Sequence, residues 1–233
     1  MSRYTICSQA PSQNDAIIDW SKYFDQIYCI HYLPNYARRK AITQELKRVG
    51  ILDTTIFKFH YTCPNVYDVL ALPRVFPQFR NTTTANKSLA YYSIMLEAEW
   101  LKYNHILILE DDVTFIPDLP KLKDMLDHLP EDYDYIHFDK ILSGSQAGRR
   151  NTMSQGNYYD SGYTGGYWGS GMLAFSNKAI KLAISYMVQA LSPMDFLLEN
   201  RDDNLLDPLK RYVPHETVVQ QLLRADEYKE AKY

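Results

Sequence analysis

Three consecutive carboxylates, Glu110, Asp111 and Asp112, follow directly on the apolar run Ile106-Leu107-Ile108-Leu109. Apolar residues on consecutive positions are what a strand buried on both faces requires, and in open α/β sheets ligands bind at the carboxyl ends of such strands. Side chains alternate along an extended chain, so Glu110 and Asp112 point one way and Asp111 the other. Two hard oxygen ligands converging on one point suit Mg²⁺ or Mn²⁺, which keeps waters and takes its remaining ligands from a phosphate. A solvated acidic turn is the plainer reading, but three carboxylates abutting a buried strand repel one another unless a cation is close. The spacing therefore predicts metal-assisted handling of a phosphate-bearing ligand.

Other metal-phosphate arrangements need spacings that are absent. A phosphate-binding P-loop requires GxxxxGK[ST], and no glycine in this chain precedes a lysine. A phosphatase of the haloacid dehalogenase type places an aspartate nucleophile two residues before a second aspartate, where this chain has Glu110. No GxGxxG fingerprint follows the first predicted strand, which disfavours a dinucleotide-binding oxidoreductase. Arg38 and Arg39, just after that strand, have the guanidinium geometry for paired hydrogen bonds to a diphosphate, or form a solvated helix start. His215 is a candidate late metal ligand, although a lone histidine is more often structural.

The elements that would position these groups alternate between strand and helix. Gln26–Leu33 (QIYCIHYL) reads as a strand, followed by a Pro34-Asn35 turn and a helix burying Ile42, Leu46 and Val49 before Gly50 stops it. Thr54–Phe59 is a second strand candidate, and Thr62–Arg80, with three prolines, reads as irregular. A long helix over Asn81–Asn104, with Leu89, Tyr92, Leu96 and Trp100 as its predicted inward stripe, feeds the strand His105–Leu109. A helix marked by Leu119, Leu122, Leu126 and Leu129 comes next, then strands at Tyr133–Phe138 and Gly171–Phe175. A last helix, capped by Ser176, turns Ile180, Ala183, Ile184 and Met187 inward. Such alternation predicts an α/β layered fold with a mainly parallel sheet, in a single domain over 1–233 that includes an N-terminal extension at 1–24. Between Lys140 and Ser170 no period is sustained, and eight of the nine glycines fall from there to Gly171. Tyr158, Tyr159, Tyr163, Tyr167 and Trp168 sit among them, which suits a ligand-covering loop whose flat rings face a sugar.

Composition narrows the partners. A net charge of -3 removes the basic field that nucleic-acid binding needs. Twenty tyrosines, beside nine Phe and three Trp, exceed the needs of a core of this size and favour polar ligands with apolar faces. Cys7, Cys29 and Cys63 form neither a CxxC pair nor an even-numbered framework, so a reducing, cytoplasmic setting is expected. No apolar run approaches the roughly 20 residues of a membrane span, which predicts a chain that is soluble or peripheral to a membrane.

Taken together, the motifs resemble glycosyltransferase family 25, which contains lipooligosaccharide and collagen galactosyltransferases. The likeness runs from about Gln26 to Gln220 through IYCIHYLPNYARR, SIMLEAEWLKYNHILILEDDV, GSGMLAFSNKAI, SPMD and VPHETVVQ. The family's Asn-Leu is His31-Tyr32-Leu33 here, and its Cys-x-x-Ser-His before the long helix is replaced near Ala90–Ser93. The resemblance implies a GT-A-type nucleotide-sugar-binding fold with a mainly parallel central sheet flanked by helices. It also implies a nucleoside-diphosphate sugar donor, a UDP-sugar first, with Mn²⁺ or Mg²⁺ bridging the diphosphate and a glycan acceptor in surface polysaccharide, lipooligosaccharide or glycoprotein synthesis. Glu110, Asp112 and His215 would then hold the metal, and Arg38, Arg39, Asn86, Lys87 and Asp111 the donor. Asn86 and Lys87 reach the site only if the sheet brings the start of the long helix back to it. Tyr163, Tyr167 and Trp168 would face the acceptor. Inverting displacement needs one carboxylate base on the opposite face of the sugar, and Asp195 of SPMD matches the family's late aspartate, with Asp139 and Asp160 as alternatives. A catalytically silent sugar-binding protein of the same fold is the competing expectation.

Overall fold

The computed structural model describes residues 17–33, 35–62, 82–139, 141–142, 153–155, 158–160, 167–168, 170–190 and 209–221. A turn of 3₁₀ helix, Trp20–Lys22, precedes β1 (Gln26–Tyr32), α1 (Tyr36–Arg48) and β2 (Phe57–Thr62). Next come α2 (Thr82–Trp100), β3 (His105–Glu110), β4 (Val113–Phe115), α3 (Leu119–Asp127) and β5 (Tyr135–His137). Four short strands follow: β6 (Ile141–Leu142), β7 (Met153–Gln155), β8 (Tyr158–Asp160) and β9 (Tyr167–Trp168). The last described elements are β10 (Met172–Ser176), α4 (Asn177–Ala190), β11 (Arg211–Pro214) and β12 (Val219–Gln221).

Eight strands form one sheet in the order β2-β1-β3-β10-β5-β11-β8-β7. The sheet is mainly parallel, as the strand-helix alternation predicts, with β10 and β8 running against the other strands. Two small ladders stand apart from it, β12 with β4 and β6 with β9. The segment read as having no regular structure thus contains β6 to β9, too short to leave a periodic signal.

Helices cover both faces, and the strands divide their side chains accordingly. Leu107 and Leu109 join Ile42 and Leu46 of α1 and Leu122 and Leu126 of α3 in one core. Ile106 and Ile108 join Ile94 and Met95 of α2 and Ile180 and Met187 of α4 in the other. This is the alternation of an extended chain buried on both faces. Ile18, Trp20 and Phe24, inside the stretch read as an extension, are buried in the first core, and the Trp20 indole donates to the Val49 carbonyl at 2.9 Å.

The caps follow the sequence. The Asn35 side chain accepts from Arg38 N–H to start α1, and Gly50, at φ 75°, ends it where an L side chain would be strained. Asp118 starts α3 and Ser176 Oγ accepts from Ala179 N–H at the start of α4. Two expectations are corrected. The second strand begins at Phe57 rather than Thr54, because the chain is still turning through Leu52–Ile56 after α1. The inward face of α2 is Ala90, Tyr91, Ile94, Met95 and Ala98, whereas Leu89, Leu96 and Trp100 are exposed and Tyr92 is half-buried. Both stripes have helical spacing, and packing against the sheet and α4 selects the one that carries Tyr91, Ile94 and Met95 beside Ala90 and Ala98. Among the described residues, no helix is long and apolar enough to cross a membrane.

Candidate active site

The site forms where β1, β3 and β12 end and β10 begins. Parallel pairing of β1 with β3 sets Ile30 against Glu110, so the next residue of β1, His31, arrives beside Asp111. His31 Nδ1 lies 2.7 Å from Asp111 Oδ2, and the Tyr32 N–H donates to the same oxygen at 3.3 Å. Arg38, in the first turn of α1, puts Nη1 3.1 Å from Asp111 Oδ1 and 3.2 Å from Asp112 Oδ2. Asp111 is therefore buried and tied to the α1 side, facing away from its two neighbours' meeting point.

Glu110 and Asp112 meet over Gln221. Antiparallel pairing of β12 with β4 sets Gln221 against Val113, and its Nε2 donates to Glu110 Oε2 at 3.0 Å and to Asp112 Oδ1 at 3.4 Å. Glu110 Oε1 also receives Lys87 Nζ at 2.6 Å, Tyr91 OH at 3.4 Å and the Ser170 hydroxyl. Lys87 and Tyr91 come from the start of α2, which runs back over the sheet from the carboxyl end of β3. Ser170 comes from the approach to β10, and the neighbouring Gly171 carbonyl accepts from Glu110 N–H at 2.9 Å.

Burial and the nearby Glu110 charge push the Asp112 carboxyl up to about 7, against the opposing pull of Arg38. Burial raises Asp139 to about 6, partly offset by the Gly171 N–H that it accepts. Asp139 is 1% exposed, and its Oδ2 has no hydrogen-bond partner among the described residues. A Cβ on Gly171 would stand 2.7 Å from that oxygen, 2.9 Å from Gln221 Cγ and 2.9 Å from Val113 Cγ1, so only glycine fits there. The two carboxylates fit a divalent cation: hard oxygens from Glu110 and Asp112 already gather around one polar atom.

The remaining predicted residues lie as follows. Arg39 stacks on β2, with its guanidinium 3.1 Å from the Phe59 ring centre and 5.3 Å from that of Tyr61. Asn86 is half-buried one residue before Lys87. His215 follows β11 at the turn towards β12, and among the described residues no three His, Cys, Asp or Glu side chains gather as a metal cage. Tyr167 and Trp168 form β9, paired with β6, and Asp160 pairs with Tyr212 across β8 and β11. Tyr163 and Asp195 lie outside the described residues. Gln221, Ser170, Gly171, Tyr91 and His31 are the contributors that spacing alone does not reveal. His31 gives the one local hint, a polar ring within the apolar and aromatic run Ile27–Tyr32 of β1.

No protein-family model matches the chain, and no curated protein matches it. Solved structures do resemble it. A glycosyltransferase involved in glycosylation of the major capsid of PBCV-1 is 13% identical, with 88% of this chain and 98% of that one covered and a TM-score of 0.47. Mouse xyloside xylosyltransferase 1 is 9% identical, with 85% and 97% covered and a TM-score of 0.42. The galactosyltransferase LgtC, in complex with donor and acceptor sugar analogues, is 14% identical, with 86% and 87% covered and a TM-score of 0.39. All three scores lie below 0.5.

Proposed function

We propose that the chain is a glycosyltransferase of the GT-A type, moving a sugar from a nucleoside-diphosphate donor to a glycan acceptor with Mg²⁺ or Mn²⁺ held by Glu110 and Asp112. One observation carries this reading: two carboxylate oxygens converge within hydrogen-bond reach of a single atom at the carboxyl end of a buried strand. When bound there, the cation supplies positive charge for the departing diphosphate. The protein's own residues prepare the rest. Lys87 and Arg38 keep the carboxylates in place and offer guanidinium and ammonium charge beside the phosphates. His31 and the Tyr32 N–H fix Asp111, and through it Arg38.

In a single displacement the acceptor oxygen bonds to the anomeric carbon as the bond to the diphosphate oxygen breaks, and a carboxylate takes the hydroxyl proton. Asp195 is assigned that proton, with Asp139 and Asp160 as the alternatives. The resemblance of the motifs to those of family 25 makes UDP-galactose the first donor to try and a surface or glycoprotein glycan the first acceptor.

Calorimetric titration with UDP tests the reading. Tight binding with Mn²⁺ and little after EDTA is expected, and Asp112→Asn should reproduce the EDTA result because the amide keeps the shape and loses the charge. Equal UDP affinity in all three conditions overturns the metal role.

A further inference from the structure

The Gln221 amide donates to both Glu110 and Asp112. A carboxamide carries a donor and an acceptor on one carbon, and a half-turn about its last bond exchanges them. Facing two carboxylates, the amide must present nitrogen. Facing a cation between those carboxylates, it must present oxygen, and its nitrogen then needs an acceptor on the other side. One is waiting: Asp139 is 1% exposed and its Oδ2 has no hydrogen-bond partner among the described residues. That oxygen and Gln221 Cγ lie 2.7 and 2.9 Å from the same point above Gly171. An orphaned buried carboxylate oxygen is uncommon enough to require a use.

We propose that Gln221 is the third protein ligand of the divalent cation, through its Oε1, and that Asp139 is a positioning residue that holds the turned amide by its nitrogen. The assignment rests on the cation reading of Glu110 and Asp112. It also accounts for the lack of a third acidic or histidine ligand among the described residues, since the missing oxygen comes from a neutral side chain. Two carboxylates and one amide oxygen balance a dication and leave coordination positions for water and diphosphate oxygens.

The full chain is titrated with Mn²⁺ alone, following the electron paramagnetic resonance of the free ion. Gln221→Ala should weaken binding about tenfold or more, the scale on which even outer-shell partners act. Gln221→Glu, which keeps an oxygen in reach and adds charge, should bind at least as tightly as the wild type. Mg²⁺ should shift the Gln221 side-chain amide signals in ¹⁵N NMR, identified by their loss in Gln221→Glu, and shift them less in Asp139→Ala. If Asp112→Asn loses Mn²⁺ while Gln221→Ala binds it as tightly as wild type or more tightly, the ligand assignment is overturned and the cation reading survives. A wild-type chain that takes up no Mn²⁺ overturns both. An unchanged Mg²⁺-induced shift in Asp139→Ala removes the positioning role.

Discussion

Replacing Gly171 with alanine adds one methyl group at the most crowded point of the site. The new Cβ would stand 2.7 Å from Asp139 Oδ2 and 2.9 Å from both Gln221 Cγ and Val113 Cγ1, all closer than such contacts are normally made. The backbone cannot retreat. The Gly171 carbonyl holds Glu110 N–H at 2.9 Å, and the next carbonyl, of Met172, holds Phe138 N–H at 3.0 Å. Relief must come from the carboxylate, the glutamine and the valine together. Overpacking of this kind costs about 1–3 kcal/mol. For a chain of this length that lowers Tm by roughly 2–12 °C. Thermal unfolding followed by circular dichroism measures the loss, and Mn²⁺ titration should show weakened binding because Gln221 and Asp139 are displaced. Gly50→Ala provides the contrast: nothing lies within 4 Å of its Cβ position, but its φ of 75° strains an L residue by about 1–2 kcal/mol. It should lower Tm and leave Mn²⁺ affinity alone. A Gly171→Ala protein with wild-type Tm and wild-type Mn²⁺ affinity would refute the packing argument.

Three further outcomes are expected. Asp112 holds its proton more firmly folded than unfolded, so its stabilising share is complete below about pH 4 and is lost as pH rises towards 7. In urea unfolding without added metal, Asp112→Asn should therefore gain on the wild type as pH rises from 4 to 7, and a pH-independent difference would contradict this. His31→Leu leaves Asp111, buried at 7% exposure, short of one partner and should cost about 1–3 kcal/mol, read as a lower urea midpoint; an unchanged midpoint would mean the pair is incidental. Asp195→Asn should lower turnover by roughly 100-fold while UDP affinity stays within a few-fold, and product NMR should show inverted configuration. Near-normal turnover would move the base to Asp139 or Asp160, and retained configuration would reject single displacement.

The acidic run and its strand were legible because burial on both faces writes itself as an unbroken apolar stretch, and a charge cluster at its end stands out. The inward face of α2 was not, since Leu89-Tyr92-Leu96-Trp100 and Ala90-Ile94-Ala98 share one period and hydrophobicity alone favours the larger set. Only tertiary packing, against the sheet and α4, decides that Tyr91, Ile94 and Met95 face inward. Gln221 was invisible for another reason: a glutamine on a three-residue strand has no local signature, and its neighbours Glu110 and Asp112 are more than a hundred residues away in the chain. His31 and Asp111 meet for the same reason, through a strand register that no sequence window spans.

The reversal of β10 decides how the site can change over time. Because β10 enters the sheet from the carboxyl edge of β3, its approach meets the carboxylates through Ser170 and Gly171, and the strand behind them is clamped by β3 on one side and β5 on the other. A clamped strand does not transmit what happens upstream of it. Changes upstream of Ser170 that spare β8, which pairs with β11 and buries Tyr158 in the first core, leave the carboxylate pair its backbone anchor. Under the glycosyltransferase reading proposed above, divergence in that stretch would vary the acceptor while the carboxylate pair is kept.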